Sequence, residues 1–227
     1  LNGGYFQEEG IAIHTGYDRF SFGSNISSSI TEWLEVGGRF NFQYEDDYGN
    51  QGGIVNQAYI TLPFIPVYDV MGNFAGSVVK GGGNSRNAVA RLYRDRLDYN
   101  RGLDLSSHFR LQADIIEGLT FTSLFGYDYS ASHWQDRFIK NPEHAESRPE
   151  DRLRIGDNSG YHWSLSNTLE YSKEFSIQQV DVMAGVEAIE DVSRWDGSRR
   201  IGFYSTDPEY MVMDAGEHSQ ENWGSGS

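Results

Sequence analysis

The feature that most constrains this chain is a set of long two-residue alternations. In Phe20–Ile30, Leu34–Tyr44, Leu103–Ile115, Leu119–Tyr129, Tyr161–Tyr171 and Val180–Ala188, every second residue is mostly apolar or aromatic and its neighbours are mostly polar. Period two gives a strand with one apolar face and one wet face. Ordinary strands run about 5–6 residues, whereas a strand crossing a bilayer obliquely takes roughly 9–11. These runs meet the second requirement. They predict an all-β, antiparallel, up-and-down transmembrane barrel segment, and they put transport ahead of catalysis.

The spacing of the runs predicts about seven strands, at roughly 1–9, 17–30, 34–45, 101–115, 119–133, 160–174 and 179–192. Connections on one side are tight, around Glu32-Trp33, Glu117-Gly118 and Ser176-Ile177. On the other side they are long, at 46–100, 134–159 and 193–227, with a shorter link at 10–16. Successive turns of an antiparallel meander fall at opposite edges. Short turns at one rim and long loops at the other are the habit of outer-membrane barrels. Parity places Phe20, Phe40, Phe109 and Phe125 on an apolar face, and Ser27, Arg39, His108 and Gln112 on the opposite one. Tyr44, Tyr129 and Trp163 near the long loops, with Trp33, Tyr171 and Phe175 near the tight turns, suit the two interfaces of a bilayer.

Composition agrees and excludes other classes. Hydrophobic residues make up only 38% of the 227, and no apolar run approaches the roughly 20 residues of a spanning helix. A barrel hides its apolar residues at alternate positions, so mild average hydropathy is compatible with one. Twenty-six glycines, 14 tyrosines and 13 phenylalanines suit strands and turns. A net charge of −15 argues against nucleic acid, which needs a basic patch. The absence of cysteine excludes disulfides and thiolate metal sites.

Motifs for chemistry are few. There is no Gly-x-Ser-x-Gly nucleophile turn, and carboxylate pairs arise by chance among 33 acidic residues. The six histidines form no ligand spacing. Glu45-Asp46-Asp47 followed by Asn50 lacks the spacing, glycine and terminal glutamate of a calcium loop. No catalytic residue, metal or cofactor is therefore expected, and the chain does not read as an enzyme. Acidic runs such as Glu143-His144-Ala145-Glu146 read as solvated loops. In the first long loop, Tyr68–Phe74 has turn chemistry, Asn87 is placed to cap a short helix running to about Asp95 with Val89, Leu92 and Tyr93 on one face, and Gly81-Gly82-Gly83 reads as a joint. Trp134, Trp195, Tyr204, Tyr210 and Trp223 are placed to stack on sugar rings or peptides, or to pack among the loops.

Several strings, in order, carry a resemblance. Gly4-Tyr5-Phe6-Gln7-Glu8-Glu9-Gly10-Ile11, Ile30–Gly38 and Pro63-Phe64-Ile65-Pro66-Val67-Tyr68-Asp69-Val70-Met71-Gly72-Asn73 come first. Gly118-Leu119-Thr120-Phe121 with Phe125-Gly126-Tyr127-Asp128, then Trp163–Leu169, then Val182–Ala188 follow. Together they resemble the first part of the barrel of SusC/RagA-type TonB-dependent outer-membrane transporters of Bacteroidetes. Asn87-Ala88 departs from a frequent Asn-Pro of that family. The resemblance implies a closed barrel of about 22 strands, a plug and a TonB box, so this chain is expected to be a segment that starts inside a longer protein. It further implies a SusD-like surface lipoprotein as lid, energy from TonB-ExbB-ExbD through the N-terminal region, and an oligosaccharide or peptide substrate. The expected setting is outer-membrane lipid of a Gram-negative bacterium. Polar residues of the upper lumen face, namely Glu45, Asp104, Asp128, His162 and Glu187, are the expected contacts to substrate or plug.

Two other readings stay open from the sequence. A soluble secreted β-sandwich that binds carbohydrate would bury its apolar faces against each other. A passive porin would share the wall but lack the plug.

Overall fold

The computed structural model describes residues 1–49, 52–77, 83, 85–144 and 150–227, the backbone alone at 218–221. Eight strands form one antiparallel sheet in sequence order: β1 (Asn2–Glu9), β2 (Gly16–Thr31), β3 (Leu34–Tyr48), β4 (Tyr99–Ile116), β5 (Leu119–Phe138), β6 (Arg152–Phe175), β7 (Gln178–Phe203) and β8 (Gly216–Gly226). Two short helices, α1 (Ile54–Ile60) and α2 (Ala88–Arg94), lie between β3 and β4. No helix among the described residues is long and apolar enough to cross a membrane.

Three tight turns join β2–β3, β4–β5 and β6–β7. Gly118 turns with φ +82°, and a Cβ there would stand 2.3 Å from the Ser172 carbonyl oxygen, so only glycine fits. The turns do not sit level. Leu34, just after the first turn, is in register with Phe121, two residues into β5, and with Ala184, six residues into β7. Six residues over four strands is about 5 Å of stagger for each strand spacing of about 4.8 Å, a tilt of about 45°. That is the inclination a sheet needs to close into a barrel.

The apolar face is uncovered. Ile26, Phe109 and Val186 are 65%, 56% and 71% exposed, although each belongs to the face the alternation marks as apolar. Ring pairs run along it, Phe20 with Phe42, Phe22 with Phe40 and Phe109 with Phe125. A sandwich would bury these residues under a second sheet; among the described residues there is one layer, so that reading is set aside.

Two boundaries differ from the sequence expectation. β5 runs to Phe138 and β6 begins at Arg152, which shortens the 134–159 loop to 139–151. β7 continues to Phe203 and an eighth strand follows, where 193–227 was expected to be loop. The reason is physical. Alternation marks where one strand face meets an apolar medium, and these extensions have polar or charged residues on both faces. They pair along their length, with a register shift at Arg199/Arg200 between β7 and β8, but their sequence carries no sustained period.

The first long loop folds largely as expected. Asp69 accepts the Met71 and Asn73 N–H groups at 2.8 Å each, turning at Gly72, and those donors hold its carboxyl below the usual carboxylate range. Asn87 caps α2 by accepting the Ala90 N–H at 3.0 Å and donates through Nδ2 to the Val67 and Ala75 carbonyls at 2.8 Å each. The helix buries Ala90 and Leu92, rather than the Val89 and Tyr93 positions of the expected face; Tyr93 stays half-exposed against Phe74. Arg94 then grips Glu143 through both guanidinium nitrogens, tying this loop to the next. Gly81-Gly82, Asn50 and Ala145-Glu146 lie outside the described residues.

Replacing Asn87 by alanine removes a cap and the amide that donates to the Val67 and Ala75 carbonyls, at a cost of about 1–2 kcal/mol to the loop. Amide exchange at Ala90 is expected to accelerate by one to two orders of magnitude, while the β4–β5 ladder is unchanged.

Candidate functional site

The polar face is where solutes and buried polar groups meet, and its geometry follows from the ladder. All five sequence-predicted contacts fall on it. Asp128 is directly paired with His162, and His162 Nδ1 is 2.7 Å from Asp191 Oδ1 on the next strand. His108 Nε2 lies 3.0 Å from Ser106 Oγ and 3.8 Å from Asp128 Oδ1. Asp104 pairs with Gln43 one position further out, and Gln43 Nε2 donates to Glu45. These four form a polar band across β3–β6. Glu187 is not part of it. It pairs with Ser166 and lines a separate cleft of about 600 Å³ with Asn25, Arg39, His108 and Arg110.

A second cleft, of about 670 Å³, lies further out on the same face. Asp47, Asp98, Asn100, Trp134, Asp136 and Arg154 line it. Arg154 donates to Asp136, and its guanidinium also stacks over Phe138 and Trp134, 5.0 and 5.8 Å from the ring centroids. Asn158 donates to Ser132 Oγ at 3.1 Å at the cleft's inner edge. Sequence reasoning named Trp134 but missed the cleft, since the strand ends that build it carry no alternation.

Asp98 is the unusual group here. It is 5% exposed, and its Oδ1 accepts the Arg137 N–H at 2.7 Å. Burial pushes its carboxyl up to about 8, only partly opposed by that hydrogen bond. At neutral pH it is therefore largely protonated.

The outward face carries a boundary that sequence reasoning also missed. The register brings Asp18, Asp46, Arg101, His133, Asp157 and Asp196 into one row. Arg101 donates to Asp46 at 3.0 Å and His133 lies 2.7 Å from Asp157. The row on the side nearer the tight turns holds Phe20, Tyr44, Leu103 and Ala131. Apolar contact thus ends within one step of the ladder across β2–β5. On β7 the change comes earlier, at Glu190, whose carboxylate accepts the Trp163 indole N–H at 2.6 Å; the tilt of the strands demands that shift.

Among the described residues no group of histidine and carboxylate side chains is arranged to hold a metal ion. No protein-family model matches the chain. Curated relatives do. TonB-dependent receptor P26 of Formosa agariphila is 27% identical over 178 residues, 75% of this chain and 17% of its own length. TonB-dependent receptor P3 of the same organism is 21% identical over 237 residues, 95% of this chain and 22% of its own length. The chain thus spans about a fifth of these relatives. Among solved structures, the RagAB peptide importer matches in its closed-closed and open-open states, each with a TM-score of 0.76. Identity is 21% and 23%, over 99% of this chain and 26% of that one. The resemblance to SusC/RagA-type TonB-dependent transporters therefore holds in sequence and in fold, and the sheet matches a segment of such a barrel.

Because Asp98 binds its proton more tightly when folded, its contribution to stability is complete below about pH 4 and is lost as pH rises through about 8. Unfolding of the intact protein at pH 5 and pH 8.5 is expected to show lower stability at the higher pH. Asp98→Asn is expected to flatten that slope.

Proposed function

We propose that this chain is a section of the barrel wall of a TonB-dependent outer-membrane importer. Its uncovered apolar face meets lipid and its polar face lines the lumen. The observation that carries this reading is the single sheet whose exposed apolar face ends at a row of ionisable residues. A sheet of this kind is stable only where hydrocarbon replaces the missing layer. The outer edges of β1 and of the inner half of β7 present unpaired backbone, which further strands of the complete barrel would satisfy. Equal likeness to two states of RagAB supports a wall that stays fixed while other parts move.

In this reading, the long loops at 49–98, 139–151 and 204–215 face the exterior and receive a SusD-like lipoprotein lid. TonB-ExbB-ExbD acts on a plug outside this segment. The cargo is an oligosaccharide or a peptide, carried without covalent change, so the work is differential binding between open and closed states. Glu45, Asp104, Asp128 and His162 form the polar band that cargo or plug contacts, and Glu187 contributes from the neighbouring cleft.

Two measurements test this. Val186→Arg is expected to cost the intact protein about 2–4 kcal/mol when it folds into vesicles, whereas Ser166→Arg costs under about 1 kcal/mol. The reverse order would contradict the lipid-facing assignment. Energised uptake of cargo is expected to require TonB and to fall at least tenfold when the four residues of the band and Glu187 are all alanine; unchanged uptake would remove their assigned role.

A further inference from the structure

One row of the ladder, on the lumen-facing side and next to the ionisable row, reads Trp134, Gly156, Gly197, Trp223 across β5–β8. A Cβ at Gly156 would stand 2.5 Å from the Trp134 indole, and one at Gly197 would stand 2.7 Å from the Trp223 indole. Each indole therefore lies down on the glycine beside it. Trp134 leans from β5 over β6, and Trp223 leans from β8 over β7, each toward the strand pair between them. The glycines between them are ladder partners about 5 Å apart, and no side chain rises from either. Two neighbouring strands thus each carry an indole over bare backbone, and the pair is termed the shelf.

The surroundings select what such a shelf takes. At the Trp134 end the cleft offers Asn100, Ser132, Asn158 and the Asp136–Arg154 pair. Trp195, 45% exposed, follows one row further in on β7, paired with Asn158. A pyranose ring presents a C–H face to an aromatic plane and hydroxyls around its edge. It therefore matches an indole bordered by short amides, hydroxyls and carboxylates. A peptide bound as an added strand would need a free sheet edge, and this row is paired on both sides along β6 and β7. We propose that the Trp134–Trp223 shelf is a stacking subsite for a pyranose unit of an oligosaccharide. The proposal rests on the reading that this face lines an import path, and it selects glycan over peptide as cargo. Packing of a ring over glycine is a known way to mend a strand, so the test must read binding as well as folding.

The intact protein, purified in detergent, is titrated calorimetrically with cello-, laminari-, manno- and xylohexaose and with a mixed decapeptide pool. At least one hexasaccharide is expected to bind. Trp134→Ala and Trp223→Ala are each expected to weaken it about tenfold or more, and Gly156→Val, which displaces the indole, to do the same. Trp134→Phe, which keeps an aromatic face, is expected to stay within about threefold. Heat-modifiable mobility on gels verifies that each variant folds. Failure of every hexasaccharide to bind, binding of the peptides instead, or alanine variants that bind as the parent does would each overturn the proposal. Shelf-dependent binding without energised uptake in cells would count against the import reading alone. Uptake with shelf-independent binding would count against the shelf alone.

Discussion

Everything in this structure depends on the backbone ladder being satisfied within one sheet while one face of that sheet has no protein to cover it. In water such a face costs roughly 25 cal/mol for each Å² exposed, and residues such as Val186 and Ile26 are far from shielded. In hydrocarbon the same residues are at home, and the main demand becomes that no N–H or C=O lacks a partner. Uninterrupted pairing of β2 through β7, with irregularities confined to Ser29–Thr31 and Asp114–Ile116 beside the tight turns, meets that demand across the apolar belt.

Beyond the belt the constraint relaxes and the chain uses the freedom. β6 and β7 run to 24 and 26 residues, well past the roughly 9–11 that span a bilayer. Their outer ends carry arginines and carboxylates on both faces, and Leu153, Ile201 and Phe203 are buried there beneath the loops rather than along one continuous face. The loops above them hold together by directed polar contacts, the Asn87 clamp and the Arg94–Glu143 pair, together with small apolar clusters such as Leu153, Phe203 and Met211. Large buried cores are absent from the described residues because the medium, not the interior, receives most of the apolar surface. The polar face follows the same division: charged bands near the middle, and a cleft with aromatic walls at the outer ends of the strands.

Legibility followed physics along the chain. The strands, their two faces and the three tight turns were readable because each strand carries its apolar face independently, one residue in two. The cap at Asn87 and the turn at Asp69 were readable because short polar side chains bond their own backbone neighbours. The outer part of β7, all of β8 and the second cleft were not, since these stretches are mostly polar on both faces and bury only isolated residues such as Ile201 and Phe203, too few to display a hydrophobic period. The buried protonated state of Asp98 was equally invisible, because it comes from packing against the outer end of β5, distant in sequence.

The amino-acid sequence by itself determined which stretches form the long strands, which face of each is apolar, and the sorting of short and long connections, because these are local consequences of alternation and turn chemistry. Only the tertiary structure decided the register. Register is set by pairing between strands, so it alone could align Asp18, Asp46, Arg101, His133, Asp157 and Asp196 into a boundary and lay Trp134 and Trp223 over a pair of glycines. Neither arrangement has a trace in any one segment, since each is built from residues that become neighbours only when the ladder closes.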